Sequence, residues 1–331
     1  MNQAQKKRSL SGIRSSGNVH IGNYLGMIKP ALEYQKDYDC LYFIADLHAL
    51  TTLRDKELMH QYSMDLVATW LALGLDVNAH TFYRQSDVPF VTEYAWYLSC
   101  FTNISFLEKA HAYKDARANN KELNHGVLAY PILMAADIVM YDVDIVPVGK
   151  DQKQHVEMAR DFAGTVNAAL GQDVIKLPEP VIREEVMTIP GLDGRKMSKS
   201  YNNEIPLFCP EKQLRKKIMS IKTDSTDMEA PKELDGTLIG DIFKFFGQEQ
   251  QYTDLKSRLA AGGMGWGHAK EELFQVINDY LKDARSEYDK LRQDEAHLIS
   301  VLDDGARKAT EIAVGPLNRL RSALGFKEVE L

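Results

Sequence analysis

Cysteine is scarce in this chain: Cys40, Cys100 and Cys209 are the only three, and no two of them form a C-x-x-C pair. An odd number at such distances argues against a disulfide framework and against a structural zinc site, and it fits a reducing compartment, so a cytoplasmic location is expected. Long apolar runs are missing too. No window approaches the about 18 apolar residues that a membrane-spanning helix takes, so no span is expected. Lys6, Lys7 and Arg8 lead into no apolar stretch, so no secretory leader is expected either. Nor is there a surplus of positive charge. Forty Lys and Arg against 47 Asp and Glu leave a net charge of -7, so a nucleic acid would have to be held by a local basic patch. The dinucleotide fingerprint G-x-G-x-x-G and the P-loop G-x-x-x-x-G-K-S/T are both absent, which leaves a nicotinamide enzyme and a P-loop NTPase without support.

What is present is ample material for a core. The 331 residues are 44% apolar and 26% charged. At about 150 residues per domain, this length suggests one large and one small domain. Over the first two hundred residues short apolar runs alternate with helical periods, the pattern of a parallel sheet covered by helices. Cys40 to Asp46, Thr81 to Gln85 and Asp144 to Val148 read as strands, and Asp55 to Leu73 and Asp151 to Leu170 as helices. Beyond Pro210 only helical periods remain: Glu211 to Ser220, Gly240 to Phe246, Lys270 to Leu302 and Arg307 to Leu324, with breaks expected at Pro231, Gly262 to Gly267 and Gly305. The fold class expected is α/β, a Rossmann-like parallel-sheet catalytic domain over 1–205 followed by a smaller all-helical domain over 206–331.

Two segments carry chemistry. Ser11 to Gly26, SGIRSSGNVHIGNYLG, holds four glycines in sixteen residues between an apolar stretch and a helical pattern. Such a turn lets a nucleotide approach the backbone, and the helix start offers N–H groups to phosphates. His20-Ile21-Gly22-Asn23 places an imidazole and a carboxamide at that start, with a glycine between them against which an adenine could lie. An ordinary Gly-rich connector with a surface histidine is the competing reading. Gly194 to Ser200, GRKMSKS, gathers three basic residues and two hydroxyls in a segment of turn chemistry, donors suited to phosphate oxygens. A solvated basic loop competes here. The two together suggest a nucleotide held between turn and loop.

On these residues the chain resembles the class I aminoacyl-tRNA synthetases: His20-Ile21-Gly22-Asn23 is similar to their HIGH signature, and Lys196-Met197-Ser198-Lys199-Ser200 matches KMSKS letter for letter. Within the class, Tyr130 to Asp137 (YPILMAAD) and Asp144 to His155 (DIVPVGKDQKQH) resemble the tryptophanyl-tRNA synthetases. On a helix Tyr130, Met134 and Asp137 share one face, which offers an aromatic ring, a thioether and a carboxylate. A flat apolar ligand with one N–H donor suits it, as an indole would, although Tyr and Met turned to a core with a capping Asp is the competing reading.

The resemblance implies further roles. Gln152, with Tyr130, would hold the tryptophan ammonium group, and Gly149, Lys150 and Asp151 would contact the ATP ribose. Val186 would meet adenine through its backbone. Arg14, Ser15 and Ser16 would lie near the phosphates with Gly22 and Asn23, and Lys114 is a candidate to join them. His20, Asn23, Lys196 and Lys199 would stabilise charge developing on the phosphates, with Met197, Ser198 and Ser200 completing the ATP loop. The substrates implied are L-tryptophan, ATP with Mg²⁺, and tRNA(Trp), and the form a homodimer. No metal site is expected in the chain itself. Arg14-Ser15-Ser16-Gly17 departs from the commoner Gln-Pro-Ser-Gly, His20 stands where threonine is frequent, and Lys150 where glutamate is. His48, His111, His125 and His155 lack metal-ligand spacing and read as core, cap or surface histidines. Lys212, Arg215, Lys216, Lys217 and Lys222 form the best candidate for tRNA backbone contacts. A tyrosyl-tRNA synthetase, a small-molecule nucleotidylyltransferase and a non-catalytic binding paralogue of the fold remain as alternatives.

Overall fold

The computed structural model describes residues 6–118, 123–149, 153–182 and 189–331. Five strands, β1 (Arg8–Ile13), β2 (Asp39–Ile44), β3 (Thr81–Arg84), β4 (Ile145–Val148) and β5 (Glu179–Ile182), form one sheet in the order β3-β2-β1-β4-β5. Every neighbouring pair is parallel. Cys40, Tyr42 and Ile44 of β2 enter one buried cluster and Leu41 and Phe43 the other, so both faces of the strand are covered. That is why its sequence reads as an unbroken apolar run. The strand order reverses between β1 and β4, and in open sheets of this kind the crevice outside the carboxyl ends at such a reversal is where ligands bind.

The helices α1 (Ile21–Asn23), α2 (Lys29–Glu33), α3 (Asp46–Ala49), α4 (Lys56–Ala72), α5 (Phe90–Cys100), α6 (Ile104–Leu107), α7 (His111–Ala118), α8 (His125–Val139) and α9 (Lys153–Leu170) connect and cover the strands. Asp55 caps α4 by accepting from Leu58 N at 2.9 Å, and Asn124 caps α8 from Val127 N at 3.0 Å. Beyond Pro210 the regular elements among the described residues are all helices, α10 (Glu211–Met219), α11 (Leu238–Phe246), α12 (Glu249–Ala261), α13 (Trp266–Leu291) and α14 (Glu295–Ala323).

Two sequence expectations are corrected here, and the sequence reading did not place helices α5, α6, α7 and α12 or strand β5. The single helix expected over Lys270 to Leu302 is two, because Asp294 stops and recaps the chain by accepting from His297 N at 3.1 Å. Gly305, expected to break a helix, lies inside α14. A Cβ on it would sit 1.7 Å from Phe82 O, so the missing side chain is what lets α14 lie against β3. The packing also runs through residue 205 without a gap: Ile21 N donates to Ile205 O and Leu207 N to Val19 O. Ile205, Leu207, Phe243 and Leu273 share one buried cluster with Tyr42 and Trp70.

Candidate functional site

The loops leaving β1, β2 and β3 all open at the carboxyl end of the sheet, and the first of them builds the start of α1. His20 is the N-cap: its Nδ1 accepts from Asn23 N at 3.2 Å, and Asn23 Oδ1 accepts from His20 N at 3.2 Å. This reciprocal pair satisfies two donors at a helix start and fixes the imidazole. His20 is buried, and its pKa is lowered to about 4, first by that burial and then by the Lys199 ammonium, against the pull of Glu204. It is therefore neutral at working pH, with Nδ1 the acceptor and Nε2 carrying the one N–H donor. Gly22 lies under the other signature: its N–H donates to Met197 Sδ at 3.3 Å, and a Cβ there would meet His20 Nδ1 at 3.0 Å. Glycine is what allows the two segments to close.

The Lys196 to Ser200 loop is shaped from below by Asn203, which is 2% exposed. Asn203 Oδ1 accepts from Ser198 N at 2.8 Å, and its Nδ2 donates to Asp193 Oδ1 at 2.6 Å and to Lys196 O at 3.2 Å. Met197 is buried, whereas Lys196 is exposed at the rim. Lys199 reaches the first loop: Nζ donates to Ser16 O at 3.3 Å and would stand 2.9 Å from a Cβ on Gly17, whose φ is +122°. Partial desolvation lowers the Lys199 pKa, against the pull of Glu204. One oxygen of Glu204 is buried with no hydrogen-bond partner among the described residues.

The remaining phosphate-loop candidates divide. Ser16 offers its carbonyl to Lys199, while Ser15 is fully buried with its hydroxyl 3.4 Å from Met59 Sδ, so its side chain is turned away from the crevice. Arg14 reaches sideways: Nη2 donates to His48 O at 3.1 Å and lies 3.3–3.4 Å from the hydroxyls of Thr51 and Thr52. Burial lowers its pKa, while the Tyr130 hydroxyl opposes the shift.

Through His48 the phosphate loop meets α8. Tyr130, Met134 and Asp137 all lie on that helix, as expected, but Asp137 is not the lone carboxylate of the sequence reading. It is 2% exposed, and Oδ2 lies 2.9 Å from His48 Nε2. Gln85 Nε2 donates to both carboxylate oxygens at 2.8 Å. Burial raises the Asp137 pKa, and the His48 and Gln85 bonds oppose it. The Tyr130 ring stands edge-on to His48, with centroids 6.3 Å apart, and to His155 at 5.6 Å; burial pushes its hydroxyl up to about 12. Met134 is half-buried on the same face.

His48, expected as a core, cap or surface residue, thus belongs to the site, as does Gln85, which was not singled out. Asp46, read only as the end of a strand, braces them by accepting from Leu47 N and Ser86 N at 3.0 Å each. Gly149 ends the stretch after β4, and Ser200 lies in the short helical turn Lys199–Tyr201. Lys114 is exposed on α7. Lys150, Asp151, Gln152 and Val186 lie outside the described residues. Among the described residues no three His, Cys, Asp or Glu gather as metal ligands. What the site offers is a run of donors under the Lys199 loop that is continuous, through Arg14 and His48, with a buried acceptor beside an aromatic ring. That arrangement can align a phosphate ester with a flat ligand bearing an N–H.

The comparisons with known proteins agree with this chemistry. The family model described as tRNA synthetases class I (W and Y) matches residues 2–282. The tryptophan--tRNA ligase of Fusobacterium nucleatum is 45% identical over 97% of this chain and 98% of its own length. The crystal structure of tryptophanyl-tRNA synthetase from Campylobacter jejuni complexed with ADP and tryptophan superposes with a TM-score of 0.92 at 45% identity, covering 96% of this chain and all of that one. The enzyme from Mycoplasma pneumoniae does so with 0.79 at 29% identity, over 98% and 99% of the two chains. With a family model over most of its length and near-complete relatives at this identity, the chain belongs to the tryptophanyl-tRNA synthetases of class I.

Proposed function

We propose that the protein activates L-tryptophan with ATP and transfers it to tRNA(Trp). The observation that carries this reading is the continuity of the site: Lys199 closes on Ser16 from the KMSKS loop, and the same phosphate loop reaches the Asp137 pocket through Arg14 and His48. In the first step a carboxylate oxygen of tryptophan attacks the α-phosphorus of ATP, and the bond to the bridging oxygen breaks, releasing pyrophosphate. In the second a terminal ribose hydroxyl of the tRNA attacks the carbonyl of the mixed anhydride and AMP leaves. No side chain need act as a nucleophile, so the protein works by alignment and by donors set where phosphate charge develops. Lys196, Lys199, Asn23 and the neutral His20 fill that role beside Gly22, Met197, Ser198 and Ser200. Asp137 accepts from the indole N–H between Tyr130 and Met134. Gln152 takes the ammonium group, Gly149 to Asp151 the ribose, and Val186 the adenine.

Mg²⁺ enters with ATP and screens the leaving phosphates. Lys212, Lys216 and Lys217 on α10 supply contacts to the tRNA backbone, whereas Arg215 is already paired with Glu271 at 2.7 Å. A cytoplasmic homodimer completes the reading. Pyrophosphate exchange into ATP, assayed with each of the twenty amino acids and Mg²⁺, tests the assignment. Exchange driven by tryptophan is expected; exchange driven by tyrosine and not tryptophan overturns it.

A further inference from the structure

Asp137 is held by more donors than a packing role requires. A carboxylate offers about four acceptor positions on its two oxygens. Gln85 Nε2 takes one on each oxygen at 2.8 Å, and His48 Nε2 takes a second on Oδ2 at 2.9 Å. Among the described residues one position is left, and it is on Oδ1. The amide that does most of the holding cannot turn over: Gln85 Oε1 accepts from Leu47 N at 3.1 Å and lies 3.4 Å from His48 N, so its NH₂ end must face Asp137. Gln85 is 1% exposed and stands at the carboxyl end of β3, in the turn that Ser86 ties to Asp46 Oδ2 at 2.5 Å. This is a rigid mount, built from two strand ends and α3, for one buried oxygen.

We propose that Gln85 is the positioning residue that makes the pocket specific for an N–H-bearing ring: by filling one acceptor position on each Asp137 oxygen it keeps the group an acceptor and leaves the single remaining lone pair, on Oδ1, for the indole. The proposal rests on the reading of Asp137 as the indole partner. The ionisable groups facing Asp137 are His48 and Asp46 from the β2 side, Tyr83 of β3, and Tyr141 after α8. All four are present unchanged in every position-85 variant, so the comparison turns on the sign of the slope between variants.

The test is steady-state pyrophosphate exchange by the full-length enzyme with tryptophan and with the analogue that carries sulfur in place of the ring N–H, across the acid-to-neutral range. Wild type is expected to favour tryptophan by at least about tenfold in KM, the scale of one hydrogen bond to a charged acceptor. Gln85→Leu should lose most of that preference while the KM for ATP stays near wild type. Its tryptophan KM should begin to rise at a higher pH than in wild type, because the buried carboxylate has lost donors that favour its ionised form. Gln85→Glu should behave in the opposite sense, recovering tryptophan affinity as pH falls, since a proton shared between two facing carboxylates restores the missing donor. Slopes of opposite sign do not arise from general loosening of the pocket. If the apolar variant does not accumulate as folded protein, Gln85→Asn, an amide one methylene short of both oxygens, carries the same comparison. Full discrimination retained in the Gln85 variants, or one pH slope shared by the Leu and Glu variants, overturns the proposal alone. Absence of discrimination in wild type overturns the reading of Asp137 and the proposal with it.

Discussion

Lys199→Ala asks whether the two signature loops make one phosphate site. The ammonium lies over the backbone that follows β1, 3.3 Å from Ser16 O, and Gly17 offers no side chain to keep it away. A phosphate bound on that backbone would stand about 4 Å from it, and two unit charges at that separation attract by about 4 kcal/mol at an effective dielectric near 20. Only the part of this attraction that grows as charge builds on the leaving pyrophosphate accelerates the reaction. Removing one preorganised donor of this kind costs on the order of 10²–10³ in rate, or about 2.7–4 kcal/mol. Single-turnover adenylate formation should therefore slow by that factor, while tryptophan affinity, measured by equilibrium titration, changes little. A second readout lies in His20. Burial is the larger cause of its low pKa and Lys199 the smaller, so removing the ammonium should move the His20 titration up from about 4 yet leave it below the ordinary 6.5. An equal loss of tryptophan binding and adenylate rate would refute the argument by showing that the lysine holds the loop together. So would an unmoved His20 resonance in an NMR titration.

Three other outcomes are expected. Asp137→Ala leaves Gln85 Nε2 and His48 Nε2 without their acceptor, at about 1–3 kcal/mol per stranded group, so the melting temperature should fall and the tryptophan KM rise at least about tenfold with ATP binding little changed; an unaltered preference over the sulfur analogue would show that the carboxylate does not read the ring N–H. His20 has a folded pKa below its unfolded one, so its contribution to stability is complete above pH 6.5 and is lost as pH falls from 6.5 towards about 4; His20→Asn, which keeps a capping oxygen, should flatten the urea midpoint through that window, and an unchanged slope there would assign the pH dependence elsewhere. Gly305→Ala should gain about 1 kcal/mol of helix propensity and lose more, because its Cβ would stand 1.7 Å from the backbone oxygen of Phe82 and overpacking costs about 1–3 kcal/mol or more where the neighbour cannot yield; a raised melting temperature would mean that α14 does not lie on β3 this way.

How much of this could be read from the chain depends on whether the residues concerned are neighbours in sequence. The two signature loops are contiguous strings whose chemistry is local, and Tyr130, Met134 and Asp137 share a helix face that the 3.6-residue period alone exposes. The bonds holding Asp137 are a different case. Asp46, His48, Gln85 and Asp137 come from the ends of β2 and β3 and from α8, and no spacing links them. A signal for them existed nonetheless. In a parallel sheet buried on both faces, a polar residue directly after a strand is dear in desolvation unless it is paired, and the carboxyl ends are where ligands gather. Applied after Ile44 and Arg84, that rule points to Asp46, His48 and Gln85. Gly305 shows the converse. Propensity reads a glycine as a break because it counts only the helix, but a loss of about 1 kcal/mol is outweighed when the missing Cβ lets a helix of 29 residues settle on a strand. The same packing explains why composition changes beyond Pro210 while the core does not divide there: α11 and α13 bury Phe243 and Leu273 in the cluster that holds Tyr42 and Trp70, so the helical segment completes the apolar face of the sheet that carries the site.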